Sequence, residues 1–252
     1  MRTHLSWALI VLACTLTGRA ADETATVSQV LDGDTCQLAD GRHVRYLGID
    51  APEKGDLLAE DATQVHNRLV GGKAVRLELG RPDRDRDGRL LAYVFFDKTL
   101  INAELVRQGC AHIRRPVSAK YQRLLLQAQD EARAAGRGIW TNATHVKLSV
   151  VKVNARSGRD ALAMKAEYIV LENRGDRDLN LTGWTVADEA HHRYLFPNFV
   201  LRAGGQVTLR TGLGKNTETE LFWGSRVAIW NDDGDSVFVK DASGHLVLAH
   251  IY

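Results

Sequence analysis

The residues best suited to chemistry sit at the ends of three apolar runs. One group is Asp32-Gly33-Asp34-Thr35, the next runs from Arg45 through Asp50-Ala51-Pro52-Glu53, and the third is Asp87-Gly88-Arg89. Aspartates are oxygen donors of the kind that hold a hard cation. A further carboxylate, Glu53, can take the proton of an attacking water. Two guanidiniums, Arg45 and Arg89, can clamp phosphate oxygens as negative charge builds. That assortment suits hydrolysis of a phosphodiester. Any one of these charges taken alone reads better as a solvated turn residue, so the combination carries the argument.

The elements that must position them follow from periodicity. Residues 43–49 form a strand through Val44, Tyr46, Leu47 and Ile49, and Pro52 ends it because proline has no N–H for a ladder. Arg45 and Asp50 are an odd number of residues apart, so a regular pleat puts them on opposite faces. Sharing one site requires a twist or bulge, which is easiest at Gly48. Asp32-Gly33 and Asp87-Gly88 mark tight turns leading into strands at 35–38 and 90–96, and further strands are predicted at 26–31 and 74–79. Leu58, Ala62, Val65 and Leu69 share one helical face, ended by Gly71-Gly72. Two more helices are predicted at 101–108, stopped by Gly109, and at 121–135, stopped by Gly136. Five strands with helices fit a small closed barrel of the OB type.

These motifs, in this order, resemble the staphylococcal-type thermonucleases. The resemblance also takes in Asn102-Ala103-Glu104-Leu105-Val106-Arg107-Gln108-Gly109 and Arg137-Gly138-Ile139-Trp140, and covers about residues 25–142. It implies an α+β OB-fold barrel and a calcium-dependent nuclease acting on DNA and RNA. By the same resemblance Asp34 and Asp50 are metal ligands with the Ala51 carbonyl, and Asp32 lies behind them. Glu53 is the general base, and Arg45 and Arg89 bind the phosphate. An all-oxygen donor set favours Ca2+ over zinc. Two positions depart from the family pattern: Asp87 and Arg115 stand where tyrosines are expected. Aromatic stacking contributes about 1–3 kcal/mol per base, so base preference is affected rather than the chemistry.

Charge does not announce nucleic acid. Residues 22–145 carry 18 basic and 18 acidic side chains, and residues 146–252 carry 13 of each. Any contact surface must be a local patch, for which His112, Arg114 and Arg115, with Lys120 and Arg123, are candidates. Residues 1–20 read as an export signal: a short polar start, an apolar run at 5–16 and Gly18-Arg19-Ala20 before the cut. The expected location is secreted or periplasmic. The alternative is a lipoprotein anchored through Cys14, since Val11-Leu12-Ala13-Cys14 resembles a lipoprotein cleavage box. Removing the signal leaves Cys36 and Cys110, which form either one disulfide or two buried thiols. Asp83-Arg84-Asp85-Arg86-Asp87-Gly88 matches half of an EF-hand loop, but its twelfth position is Val94 inside a strand, so a charged hairpin is expected.

Beyond a polar linker at 142–147, which holds an Asn-Ala-Thr glycosylation pattern, helical periodicity stops. Strands are predicted at 148–154, 167–172, 184–187, 194–201, 206–211, 226–230, 236–240 and 246–250, giving an all-β immunoglobulin-like sandwich over 146–252. Its Tyr168-Ile169-Val170-Leu171-Glu172-Asn173, Leu181-Thr182-Gly183-Trp184 and Val227-Ala228-Ile229-Trp230-Asn231-Asp232-Asp233-Gly234-Asp235 resemble a lamin-tail domain. That resemblance implies an interaction or tethering module with a cell-envelope or protein partner. A tail with its own core and a short polar linker is expected to move independently of a barrel spanning 24–142. The rival to the enzyme is a non-catalytic nucleic-acid- or envelope-binding protein.

Overall fold

Alternating apolar side chains build the first half of the molecule as a barrel. The structure is a computed structural model that describes residues 22–155 and 166–252. The expected export signal and Cys14 lie outside the described residues. The chain runs through β1 (Glu23–Val30), β2 (Thr35–Leu38), β3 (His43–Tyr46) and β4 (Ile49–Asp50), then α1 (Ala59–Val70), β5 (Ala74–Arg84), β6 (Leu90–Phe96) and β7 (Thr99–Leu100). It continues through α2 (Ile101–Arg107), β8 (His112–Ile113) and α3 (Ala119–Ala134). The strand order is β3-β2-β1-β5-β6-β7. β3 also pairs in parallel with β6, Val44 facing Leu90 and Tyr46 facing Ala92, which closes five strands into a barrel. Val27, Val44, Tyr46, Leu77 and Val94 fill it, and Leu105 of α2 and Leu125 of α3 cap the same core.

One helical face is turned from its expected position. In α1 the buried residues are Ala59, Ala62, His66 and Val70, while Val65 and Leu69 are half-buried. The stripe runs one residue later in the chain, so a histidine takes the place expected for a valine.

The tail consists of β9 (Leu148–Asn154), β10 (Tyr168–Asn173), β11 (Leu179–Asn180), β12 (Thr185–Ala187), β13 (Arg193–Leu195) and β14 (Val200–Leu201). β15 (Gln206–Arg210), β16 (Glu220–Phe222), β17 (Ser236–Lys240) and β18 (Leu246–Ile251) complete it. Two four-stranded sheets, β16-β15-β10-β9 and β13-β12-β17-β18, share one core, in which Ile169, Leu171 and Leu209 meet Val186, Val237 and Val239. The run read as one strand at 194–201 divides at Phe196-Pro197 into β13 and β14. The run at 226–230 is not a strand. The N–H groups of Ile229 and Trp230 donate to the buried Glu167 carboxylate at 2.9 and 3.2 Å, so they have no ladder to join.

The two halves are joined by a core of their own. Ala132, Ile139, Trp140 and Ala143 pack with Leu246 of the tail, and Phe238 and Ala249 close over them. The expected linker contributes a helical turn at Ala143–His145, with Ala143 buried. Arg115 donates to the carbonyls of Tyr252 at 2.7 Å and Asp233 at 2.8 Å. The expectation of an independently moving tail is thereby corrected: the outer face of its second sheet is apolar where it meets α3, and that surface stays out of water only while the halves are docked.

Candidate functional site

Arg45 is the hub. Gly48, at φ +76°, breaks the pleat after β3 and re-aims the chain into β4. An added Cβ there would also sit 3.1 Å from Leu125 Cδ1. The turn brings Arg45 and Asp50 to one side, as a break at Gly48 requires. Arg45 Nη1 donates to the carbonyls of Tyr46 at 2.7 Å and Ile49 at 2.9 Å, which holds the turn. Its Nη2 donates to Asp50 Oδ1 at 2.6 Å and lies 3.1 Å from Asp34 Oδ2.

Asp34 immediately precedes β2 and is 5% exposed. Its Oδ2 accepts the Ala51 N–H at 2.7 Å and its Oδ1 accepts the Thr35 hydroxyl at 3.1 Å. Burial pushes its carboxyl up to about 7 against the pull of Arg45. Asp32 stands behind it, accepting the Asp34 N–H at 2.9 Å. The Asp32 carbonyl bonds His66 Nδ1 at 2.8 Å, so the histidine in the α1 face anchors the Asp32–Asp34 turn. Asn102, fully buried, does the same for the other strand end: its amide donates to the Leu47 carbonyl at 2.8 Å and accepts the Val94 N–H at 2.9 Å. Neither role has a signal in a single sequence, because each depends on which turn the helix meets.

Glu53 is exposed and lies with Asp50 and Ala51 on a cleft of about 500 Å3. Its N–H donates to Asp56 Oδ2 at 3.3 Å, which shapes the loop after Pro52. Arg89 stays apart from this cluster. Its Nε donates to Asp85 Oδ2 at 2.7 Å inside the hairpin between β5 and β6. The register puts it one residue before Leu90, the partner of Val44. The hairpin is the one expected in place of an EF-hand: Asp85 Oδ1 caps the N–H groups of Asp87 and Arg89.

The three residues expected to touch phosphate are placed differently. Arg114 Nη1 donates to Asp50 Oδ1 at 3.1 Å, which makes it a second cation on that carboxylate. His112 Nε2 lies 4.0 Å from Asp50 Oδ2, and its ring packs on Phe238 of the tail with centroids 4.6 Å apart. Arg115 is taken up entirely by the tail: besides its two carbonyl bonds, its N–H donates to Glu189 Oε1 at 3.1 Å. Lys120 pairs with Glu78 at 2.7 Å. Cys36 and Cys110 are buried free thiols, so the disulfide held open from their number is not formed.

Among the described residues, no group of three or more His, Cys, Asp or Glu side chains is arranged to hold a metal ion. Asp34 and Asp50 form a two-carboxylate set instead, converging on Arg45 Nη2. The set fits a hard cation in two respects. Its donors are all oxygen, and the buried Asp34 carboxylate has too little compensating charge to ionise at its ordinary pKa.

The "Staphylococcal nuclease homologue" family profile matches residues 43–142, and the "Lamin Tail Domain" profile matches 141–252. The thermonuclease of Staphylococcus hyicus is 34% identical over 134 residues, covering 79% of that protein and 49% of this chain. An uncharacterized endonuclease of Escherichia coli O157:H7 is 36% identical over 130 residues, covering 82% of its length and 50% of this chain. An uncharacterized endonuclease of Haemophilus influenzae is 38% identical over 123 residues, covering 67% of its length and 47% of this chain. A barrel whose strand ends gather Asp34, Arg45 and Asp50, together with these likenesses, makes the chain a member of the staphylococcal nuclease homologue family that carries a lamin tail domain.

Proposed function

We propose that the protein is a calcium-dependent nuclease that hydrolyses phosphodiester bonds of DNA and RNA, and that it works outside the cytoplasm. The observation that carries this reading is the convergence of Asp34 and Asp50 on Arg45, with the free carboxylate of Glu53 on the adjoining cleft. Glu53 takes a proton from the attacking water. Its exposure suits this role, since a base must exchange its proton with solvent between turnovers. Arg45 is held by two backbone carbonyls and so presents its guanidinium without reorganising. Arg89 supplies the second guanidinium from the hairpin, on leaving Asp85. Asp34 and Asp50 would hold a Ca2+ ion, with the Ala51 carbonyl as a third donor. Such an ion supplies positive charge beside the phosphate when bound.

Plasmid digestion tests the reading. Wild-type protein should cut with calcium and stop with chelator, and Glu53→Gln should lower turnover about 10²–10⁴-fold without changing the melting temperature. Near-wild-type cleavage by Glu53→Gln would remove the mechanism, and cleavage unaffected by chelator would remove the calcium. Export through residues 1–20 is checked by N-terminal sequencing of protein recovered outside the cytoplasm. A lipid-linked Cys14 would replace secretion by anchoring.

A further inference from the structure

The cleft beside Glu53 has two walls, and the second belongs to the tail. On the barrel side it is lined by Asp50, Ala51 and Glu53, and on the other by residues of β12, β13 and β17. The strand register explains what that wall presents. Ala187 lies opposite both Arg193 and Phe238, and Thr185 lies opposite Lys240. Directly paired residues share a face. Thr185, Ala187, Arg193, Phe238 and Lys240 therefore stand together on the outer face, while Val186, Val237 and Val239 point into the tail core. Half of this outer face is covered, since Phe238 packs on the joint core and against His112. The other half, with Lys240 and Arg193, continues past the joint into the open cleft.

The charges on this wall are not equivalent. Its carboxylates are engaged within the protein: Asp188 with His192 at 2.6 Å, Glu189 with the Arg115 N–H and the Ser236 hydroxyl, and Asp241 with the N–H groups of Ser243 and His245. Among the described residues, the side chains of Lys240 and Arg193 make no hydrogen bond or ion pair. Two unengaged cations thus face the loop that carries Glu53, across a space of about 500 Å3. That volume is of the order of small-ligand pockets.

We propose that this wall of the tail is a phosphate-binding subsite, in which Lys240 and Arg193 hold the backbone of a single nucleic-acid strand flanking the bond to be cut. The inference rests on the nuclease reading of the barrel. On this account the tail is part of the substrate site and not only a tether. Cations placed along the path of a strand hold its phosphates without sequence preference.

The test is equilibrium binding of the full chain to a fluorescent twelve-nucleotide single strand, with chelator present and salt varied. Each phosphate neutralised on a single strand contributes about 0.7 to the slope of log K against log salt. Lys240→Gln with Arg193→Gln should therefore weaken binding and lower the slope by about 1.4. Lys240→Met, which keeps the apolar stem, should lower it by about half as much. Lys215→Gln, an exposed tail position outside the cleft, should leave the slope unchanged. Circular dichroism melting of each variant confirms that the strands are kept. An unchanged slope in the double variant overturns the proposal, as does an equal loss from Lys215→Gln. An equal change on a twelve-base-pair duplex overturns the single-strand assignment. Because nothing is cleaved under chelator, these outcomes are separate from the Glu53→Gln digestion, whose failure would strike the nuclease reading itself.

Discussion

Asn102→Ala probes the scaffold that sets the catalytic turn. Asn102 is fully buried and bonds two backbone groups, the Leu47 carbonyl just after β3 at 2.8 Å and the Val94 N–H within β6 at 2.9 Å. Both partners are themselves buried, at 9% and 0% exposure. Alanine leaves each without a partner and without room for easy solvation. A buried unsatisfied polar group costs about 1–3 kcal/mol, and carbonyls are the more tolerant of the two kinds. The expected loss is therefore about 2–4 kcal/mol, a large share of the roughly 5–15 kcal/mol of an ordinary domain. Leu47 also immediately precedes Gly48, so the turn that aims Asp50 at Arg45 should loosen with it. Urea unfolding of the full chain, followed by circular dichroism and by the fluorescence of buried Trp140, measures the first effect. Turnover at a temperature where the variant remains folded measures the second. A loss under about 0.5 kcal/mol would show that water or a backbone shift replaces both bonds, and the argument that Asn102 positions the site would fall.

The remaining predictions concern titration, thiols and calcium. His66 and His250 are held below the ordinary histidine pKa by burial, so the unfolded chain binds their protons first. Their contribution to stability is complete above about pH 6.5 and is lost as pH falls below it. The stability difference between wild type and His66→Gln should accordingly shrink from about pH 7.5 to about 5.5, and a constant difference refutes the assignment. Burial pushes both Cys36 and Cys110 up to about 11. A thiol reagent at neutral pH should label neither in the folded mature chain and both after denaturation; a reading of no thiols after denaturation would mean that they are paired. Asp83→Asn with Asp85→Asn should leave calcium binding by calorimetry within about twofold, because Asp85 already serves Arg89 and the hairpin N–H groups. Loss of binding would move the ion from Asp34 and Asp50 to the hairpin.

What a single sequence determined here was local. Gly48, the Asp-Gly turns and the alternation in β2, β3 and β6 act through backbone geometry and pleat period within a few residues, so the barrel strands could be read directly, as could the need for a break at Gly48 if Arg45 and Asp50 are to share a site. A carboxylate placed at the end of a strand is likewise legible from its neighbours. What tertiary structure alone decided was which distant groups meet. His66 anchors Asp32, thirty-four residues away in the chain, because α1 packs one position later than its apolar spacing suggests. The 226–230 segment looks like a strand locally, but the carboxylate of Glu167 takes the N–H groups of Ile229 and Trp230. Arg115 has the charge to bind phosphate, yet the carbonyls of Tyr252 and Asp233 occupy it. The tail's place on the cleft depends on the same kind of fact. Phe238, Leu246 and Ala249 are outward positions of a strand pattern, and only the presence of α3 and Trp140 opposite them turns that face into a buried joint. Burial by a remote surface leaves no periodic mark in the sequence, so the second wall of the site had to be seen in three dimensions.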